Sequence, residues 1–245
     1  MNENYRKYVA EAIGTFALVF IGAGAVCADY YLKSAGSTGI GWVGVSLAFG
    51  LAAMAAVYGF GYVSGSHINP AVTVACWVTR RMDTNLAVFY ILAQLVGATV
   101  AGFTLKTIYP NAVTSVHLGS TFLGQGVPLA RGVLMEVVIT FLLVLTVFAT
   151  AIDRRASKAF GGLCIGFAVL LGVMIGGAVT GGSMNPARTF GPAIASGFFQ
   201  NHFVYWVGPV LGGIAAALFY ERVLAEEEAG IPAEERLAAK RGKRA

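Results

Sequence analysis

Asn-Pro-Ala stands twice in this chain, at Asn69-Pro70-Ala71 and at Asn185-Pro186-Ala187, once in each half of its 245 residues. Each copy follows a Gly/Ser-rich stretch, Ser64-Gly65-Ser66-His67-Ile68 before the first and Thr180-Gly181-Gly182-Ser183-Met184 before the second. Each opens a short apolar segment, over 69–79 and over 185–196. As helices these segments reach only about 16 Å, half of the roughly 30 Å hydrocarbon core of a bilayer. Two such segments in matched settings point to a duplicated device.

Composition places that device. Hydrophobic residues make up 57% of the chain and charged residues 12%, against about 25% charged in soluble domains. So few charges do not cover a water-exposed surface, and the chain reads as an integral membrane protein. Six long apolar runs lie at about 8–30, 40–62, 85–108, 131–152, 160–179 and 203–224, each close to the roughly 20 residues a spanning helix needs. The first shows no small-residue cleavage pattern and is one of many such runs, so it reads as a span and not as a leader. Cys27, Cys76 and Cys164 have neither paired nor metal-ligand spacing and read as small buried apolar residues.

The basic residues set the orientation. All of the 17 except Lys33, Lys106, Arg131 and Arg188 fall on one side if six spans alternate. Arg6 and Lys7 precede the first span, Arg80 and Arg81 close the first short segment, Arg154, Arg155 and Lys158 join spans four and five, and Arg222 to Arg244 follow span six. The positive-inside rule puts that side, with both termini, in the cytoplasm. The net charge of +5 is this loop bias and calls for no nucleic-acid partner.

The halves repeat. Ala10-Glu11-Ala12-Ile13-Gly14-Thr15-Phe16 parallels Met135-Glu136-Val137-Val138-Ile139-Thr140-Phe141, and Gln94-Leu95-Val96-Gly97 parallels Pro209-Val210-Leu211-Gly212. Ala48-Phe49-Gly50 and Gly166-Phe167-Ala168 open the approaches to the two boxes. The expected division is 1–115, with three spans and the half-helix 69–79, then 116–224, with three spans and the half-helix 185–196, then a charged cytoplasmic tail over 225–245. An odd number of spans per unit inverts one unit against the other about an axis in the membrane plane. The fold class is therefore an all-α membrane protein of six transmembrane helices and two re-entrant half-helices in an inverted 3+3 repeat.

Non-helical backbone at membrane depth is tolerated only where protein buries it or where it lines a wet cavity. Asn is a good N-cap and Pro suits the first helical position, so each half-helix is expected to begin at its Asn near the midplane. Two helix N-termini then meet there, each worth about half a positive charge. The Asn side-chain oxygen caps, which leaves its amide free to donate to a passing solute.

With Arg188 directly after the second box, and with the Glu11/Glu136 repeat, the chain resembles an aquaporin of the major intrinsic protein family over about 1–224, archaeal aquaporins most of all. The resemblance implies an aquaporin-like right-handed bundle and a homotetramer with one pore per subunit, in the cell membrane. It implies a passive channel in which an Arg and half-helix dipoles exclude protons and ions. It implies partners that are water, small neutral solutes and membrane lipid, with no cofactor, no metal and no catalytic residue. Counted from the boxes, the family's second filter falls on Phe49, Val173, Gly182 and Arg188. Phe49 would be an apolar wall, Gly182 would offer its carbonyl and Arg188 would donate. Glu11 and Glu136 would accept backbone N–H groups of the re-entrant loops, and His67 would pack at the pore wall with a backbone partner.

Val173 departs from the strictly water-selective members, which resemble one another in having histidine there. Glycerol-conducting members look aromatic-rich at the filter, with Asp after the arginine, where this chain has Thr189. Tyr205-Trp206 resembles the water-channel pattern. The reading is a water channel with a permissive filter that also lets through glycerol or small neutral solutes. A mainly glycerol- or small-solute-conducting facilitator is the alternative, and a secondary transporter a distant one. Gly182 stands where mercury-sensitive members carry cysteine, so weak mercury sensitivity is expected.

Other classes fit poorly. A coupled transporter needs more ionisable groups within its spans, and a cation channel needs carboxylate rings or a carbonyl filter. An enzyme needs a nucleophile with its base or a metal cluster, whereas His67, His117 and His202 lie far apart in sequence.

Overall fold

A computed structural model describes residues 3–225. All regular structure among the described residues is helical, in the order α1 (Glu3–Ser34), α2 (Gly41–Ser64), α3 (Pro70–Val78), α4 (Thr84–Ile108), α5 (Ala112–Ser115), α6 (Leu129–Val147), α7 (Gly161–Thr180), α8 (Pro186–Ser196) and α9 (Val204–Phe219). Helices α6 and α9 each end in a π turn, Phe148–Ile152 and Tyr220–Leu224. Six segments of 21 to 31 residues are long and apolar enough to cross a bilayer.

The long helices match the six apolar runs to within a few residues. The largest difference is at the start of α1, which begins at Glu3 instead of near residue 8. Apolarity ends where hydrocarbon would end, but backbone bonding continues through interfacial residues until a breaker intervenes. The turn α5 and the 3-10 turn His117–Gly119 are too short to carry a periodic signal, and the sequence did not announce them. The tail expected over 225–245 lies, beyond Ala225, outside the described residues.

Packing crosses between the halves. Helix α1 packs on α2 and α4, α6 packs on α7 and α9, and α2 meets α7. Each short helix rests on a long helix of the other half, α3 on α9 and α8 on α4. Such contact needs small residues, as is usual for helices in lipid. A Cβ on Gly97 would come within 2.1 Å of the Ala12 carbonyl oxygen, and one on Gly212 within 2.3 Å of the Val137 carbonyl oxygen. The two approaches fall at corresponding points of the two repeats.

Polarity is inside out. Leu51, Leu92, Val96, Leu134 and Ile175 are exposed, whereas Glu11, Gln94, Glu136 and Thr189 are fully buried. Water would not tolerate so wide an apolar girdle; hydrocarbon would.

One end of the bundle is tied by charge. Asp153, between α6 and α7, accepts from Arg155 Nε at 3.0 Å and from the Tyr220 hydroxyl. Arg155 Nη2 also donates to the Leu224 carbonyl at 2.9 Å. Hydrogen bonds from Arg155 and then Tyr220 hold the Asp153 carboxyl well below the usual carboxylate range. Arg81, just past α3, pairs with Glu221.

Candidate functional site

The site is built where the chain leaves α2 and α7. Gly65 and Gly181 end these helices in the left-handed region, at φ of 85° and 81°, where glycine has no Cβ to clash. The chain then turns inward through further left-handed residues, Ser66 and Ile68 in the first loop and Met184 in the second. Each such non-glycine residue costs about 1–2 kcal/mol. Buried carboxylates offset that cost. Glu11 on α1 accepts from Ser64 Oγ at 2.7 Å, His67 N at 2.9 Å, Ile68 N at 2.7 Å and Gln94 Nε2 at 2.7 Å. Glu136 on α6 accepts from Thr180 Oγ1 at 2.7 Å, Ser183 N at 2.9 Å and Met184 N at 2.7 Å. Hydrogen bonds to a charged acceptor contribute about 1.5–3 kcal/mol each.

Asn69 and Asn185 then cap α3 and α8. The Asn69 side-chain oxygen accepts from Ala71 N at 2.8 Å, and that of Asn185 from Ala187 N at 3.0 Å and Arg188 N at 3.2 Å. Pro70 and Pro186 occupy the first helical position. The amides are not wholly free, contrary to the expectation from capping alone. Asn69 Nδ2 donates to the Met184 carbonyl at 2.8 Å and Asn185 Nδ2 to the Ile68 carbonyl at 2.9 Å. This reciprocal clasp uses one of the two N–H groups on each amide. It brings the positive ends of α3 and α8 together.

Beside the clasp lies a cavity of about 160 Å³, lined among others by Phe49, Val173 and Arg188 towards one end, Asn69 and Asn185, and Ala151 and Ile152 towards the other. A second cavity of about 400 Å³, walled by Lys7, Tyr62, Arg81 and Met82, shares Gly65, His67 and Ile152 with it. Arg188 is 3% exposed. Its Nη1 donates to the Gly119 carbonyl at 2.7 Å and its guanidinium carbon lies 4.4 Å from the centroid of the Phe49 ring. Phe49 is thus a cation–π platform as well as an apolar wall. Gly182, at φ 61°, sits against Val173, where any Cβ would fall 2.7 Å from the Val173 Cα. His67 finds a side-chain partner and not a backbone one: its Nδ1 lies 3.1 Å from Thr73 Oγ1, and its ring meets Tyr90 edge-on. The three cysteines are free thiols, Cys27 and Cys76 buried and Cys164 partly so. Among the described residues, no three His, Cys, Asp or Glu side chains gather as a metal site would require.

Several contacts at the site escaped the sequence reading, which named Tyr205 only for its resemblance to the water-channel pattern. Tyr90 and Tyr205 donate to the carbonyls of Ser64 and Thr180, at 2.7 and 2.9 Å, and so hold the starts of the two loops. Each stands four residues before the Gln94 and Pro209 repeat, and extending that match backwards by one turn finds them. Trp42 Nε1 fixes the Val173 carbonyl at 3.1 Å. Gly119 and Thr121 come from an irregular connection, and nothing in the motif spacing points to them.

Six apolar spans, two capped half-helices meeting through their asparagines and a buried arginine beside two cavities that share lining residues define a class of polytopic channel-like membrane proteins. The chain belongs to the major intrinsic protein family, whose model matches residues 1–220. It is 41% identical over 241 residues to aquaporin AqpM of Methanothermobacter thermautotrophicus, covering 90% of this chain and 98% of that one. It is 43% identical over 218 residues to aquaporin TIP4-4 of Zea mays, covering 88% of this chain and 85% of that one. The aquaglyceroporin from Plasmodium falciparum superposes with a TM-score of 0.79 at 25% identity, over 90% of this chain and 97% of that one. The protein is a multi-pass membrane protein.

Proposed function

We propose that the chain is a passive transmembrane channel for water whose filter also admits glycerol or small neutral solutes, while protons and ions are excluded. The observation that carries this reading is the clasp: two capped helix N-termini held together by reciprocal Asn–carbonyl bonds, beside a cavity. The N–H left on each amide is available to a passing oxygen. A hydronium or metal cation meets two positive helix ends at the same point. Water keeps hydrogen-bond partners there, and a cation finds no counter-charge.

Phe49, Val173, Gly182 and Arg188 act as the narrower filter. Arg188 supplies donors and a second cationic barrier. Val173 gives an apolar side where a hydrogen-bonding residue would narrow the opening, which is the reason to expect glycerol to pass. If glycerol is the faster solute, the same geometry reads as a glycerol or small-solute facilitator. Glu11, Glu136 and His67 support the loops and perform no chemistry, so the protein is a channel and not an enzyme. The inverted units are 1–115 and 116–224, both termini face the cytoplasm of the cell, and four copies assemble with one pore each.

The test is stopped-flow light scattering on liposomes containing the purified protein, first with an impermeant osmolyte and then with glycerol. Fast, non-saturating shrinkage with low activation energy supports the channel. Saturable flux that follows an ion gradient overturns it in favour of a transporter.

A further inference from the structure

Arg188 is held by surprisingly little besides its stacking on Phe49. Nη1 has the Gly119 carbonyl, and Nε is buried with no partner. Where the guanidinium sits therefore depends on where Gly119 sits. Gly119 ends a run of three left-handed residues, His117, Leu118 and Gly119, at φ of 49°, 53° and 74°. Two of these are not glycine, and such a run relaxes unless something holds it.

Gly119 N donates to the Val116 carbonyl at 2.8 Å, Ser120 N donates to the His117 carbonyl at 2.9 Å and His117 stacks on Phe198, and these hold the run locally. The contact that ties it to α8 lies two residues on. Thr121 Oγ1 is 2.6 Å from Thr189 Oγ1, which is 2.6 Å from Ser183 Oγ. All three residues are buried. A hydroxyl has one proton to give, and this fixes the direction of the chain. Ser183 gives its proton to the Asn185 carbonyl at 2.9 Å. Thr189 must then donate to Ser183, and Thr121 to Thr189. The line of donors runs from the connection between α5 and α6, through the residue after Arg188, to the capping asparagine of α8.

The first half is braced differently. Thr73 donates back to the Asn69 carbonyl at 3.1 Å and accepts from Gln94 Nε2, a residue of the spanning helix α4, at 3.0 Å. At the corresponding place after the second box, the brace comes from a connection that also carries the acceptor for Arg188.

We propose that Thr121 is a positioning residue for the filter: its hydroxyl, through Thr189 and Ser183, pins the Gly119 carbonyl and so sets where Arg188 stands and how wide the opening is. This rests on the channel reading. Thr121→Val keeps the branched shape and removes the donor. The expected result in liposomes is a glycerol-to-water permeability ratio raised about three- to tenfold, the size of one lost buried hydrogen bond. Thr121→Ser restores the hydroxyl and the parental ratio. Thr189→Val shifts the ratio the same way, and the double variant goes no further than the larger single change, because both act through one chain. If Thr121→Val does not reach the membrane, Thr121→Ala carries the same comparison. A ratio unmoved or lowered by Thr121→Val, or moved as far by Thr121→Ser, overturns the role of the hydroxyl alone. Absence of water flux in the unsubstituted protein overturns the channel reading and this role with it.

Discussion

Glu136 and Thr140 lie one turn apart on α6, both completely buried, and their replacement has opposite consequences. Glu136→Gln keeps the shape but removes the charge and turns one acceptor into a donor. Three donors converge on the carboxylate, Thr180 Oγ1, Ser183 N and Met184 N. An amide oxygen serves at most one side of that set, so at least one backbone N–H is orphaned, at about 1–3 kcal/mol. The bonds that remain lose their charge assistance, roughly half their strength. Relief of the buried charge returns part of this, and a net loss of about 2–4 kcal/mol remains. At about 2–4 °C per kcal/mol for a chain of this size, the apparent midpoint of thermal unfolding in detergent falls by about 4–16 °C. Thr140 has a hydroxyl with no partner, whereas its counterpart Thr15 donates to the Glu11 carbonyl at 2.7 Å. Thr140→Val therefore leaves the midpoint unchanged or raises it, and Thr15→Val lowers it. A Glu136→Gln protein as stable as its parent, or a Thr140→Val protein less stable than Thr15→Val, refutes the account of how the loops are held.

Three further outcomes are expected. Val173→His lowers glycerol entry by about tenfold or more, the effect of one polar group lining a narrow apolar wall, and leaves water flux within the same order; glycerol uptake that survives unchanged counts against Val173 as a filter residue. Arg188→Val removes the cationic barrier and its Phe49 stack, so proton or cation conductance appears in planar bilayers where the parent has none, and identical conductance in both proteins removes Arg188 from that role. The Asp153 clamp is sensitive to acid: its folded carboxyl titrates below the unfolded value of about 3.9, so its contribution is complete above that value and is lost as pH falls through the folded one. The stability difference between the parent and Asp153→Asn is therefore flat above about pH 4 and shrinks below it; a difference that vanishes already near neutrality contradicts the clamp.

What was legible in the sequence was local or repeated. Asn69 and Asn185 announce caps because Asn followed by Pro is a helix start whatever surrounds it. Glu11 and Glu136 stand out because an acid in an apolar run demands partners. Phe49 and Val173 emerge only by counting from the boxes, and both line the cavity beside Arg188 because α2 and α7 run straight into the two loops. Partners were harder to read. The Asn amides find the opposite loop's carbonyls, contacts made by the fold and not by neighbours in the chain, and His67 finds Thr73 six residues on, a meeting set by how the loop turns into α3. Gly119 and Thr121 were invisible because the segment between α5 and α6 has no period to betray its path.

The reciprocal asparagine bonds bear on how such a molecule is made. Asn69 is anchored on Met184, and Asn185 on Ile68, so each loop takes its last contact from a stretch encoded far away in the other half. During synthesis the earlier half reaches the bilayer with its loop unfinished, its cap present but its amide still unspent. It can be completed only when Met184 has been translated, threaded and turned inward. The permeation path is thus one of the last features to form. A nascent chain stalled before its second half would sit in the membrane with α3 lacking the α9 surface on which it rests, a target for quality control before it is ever a leak.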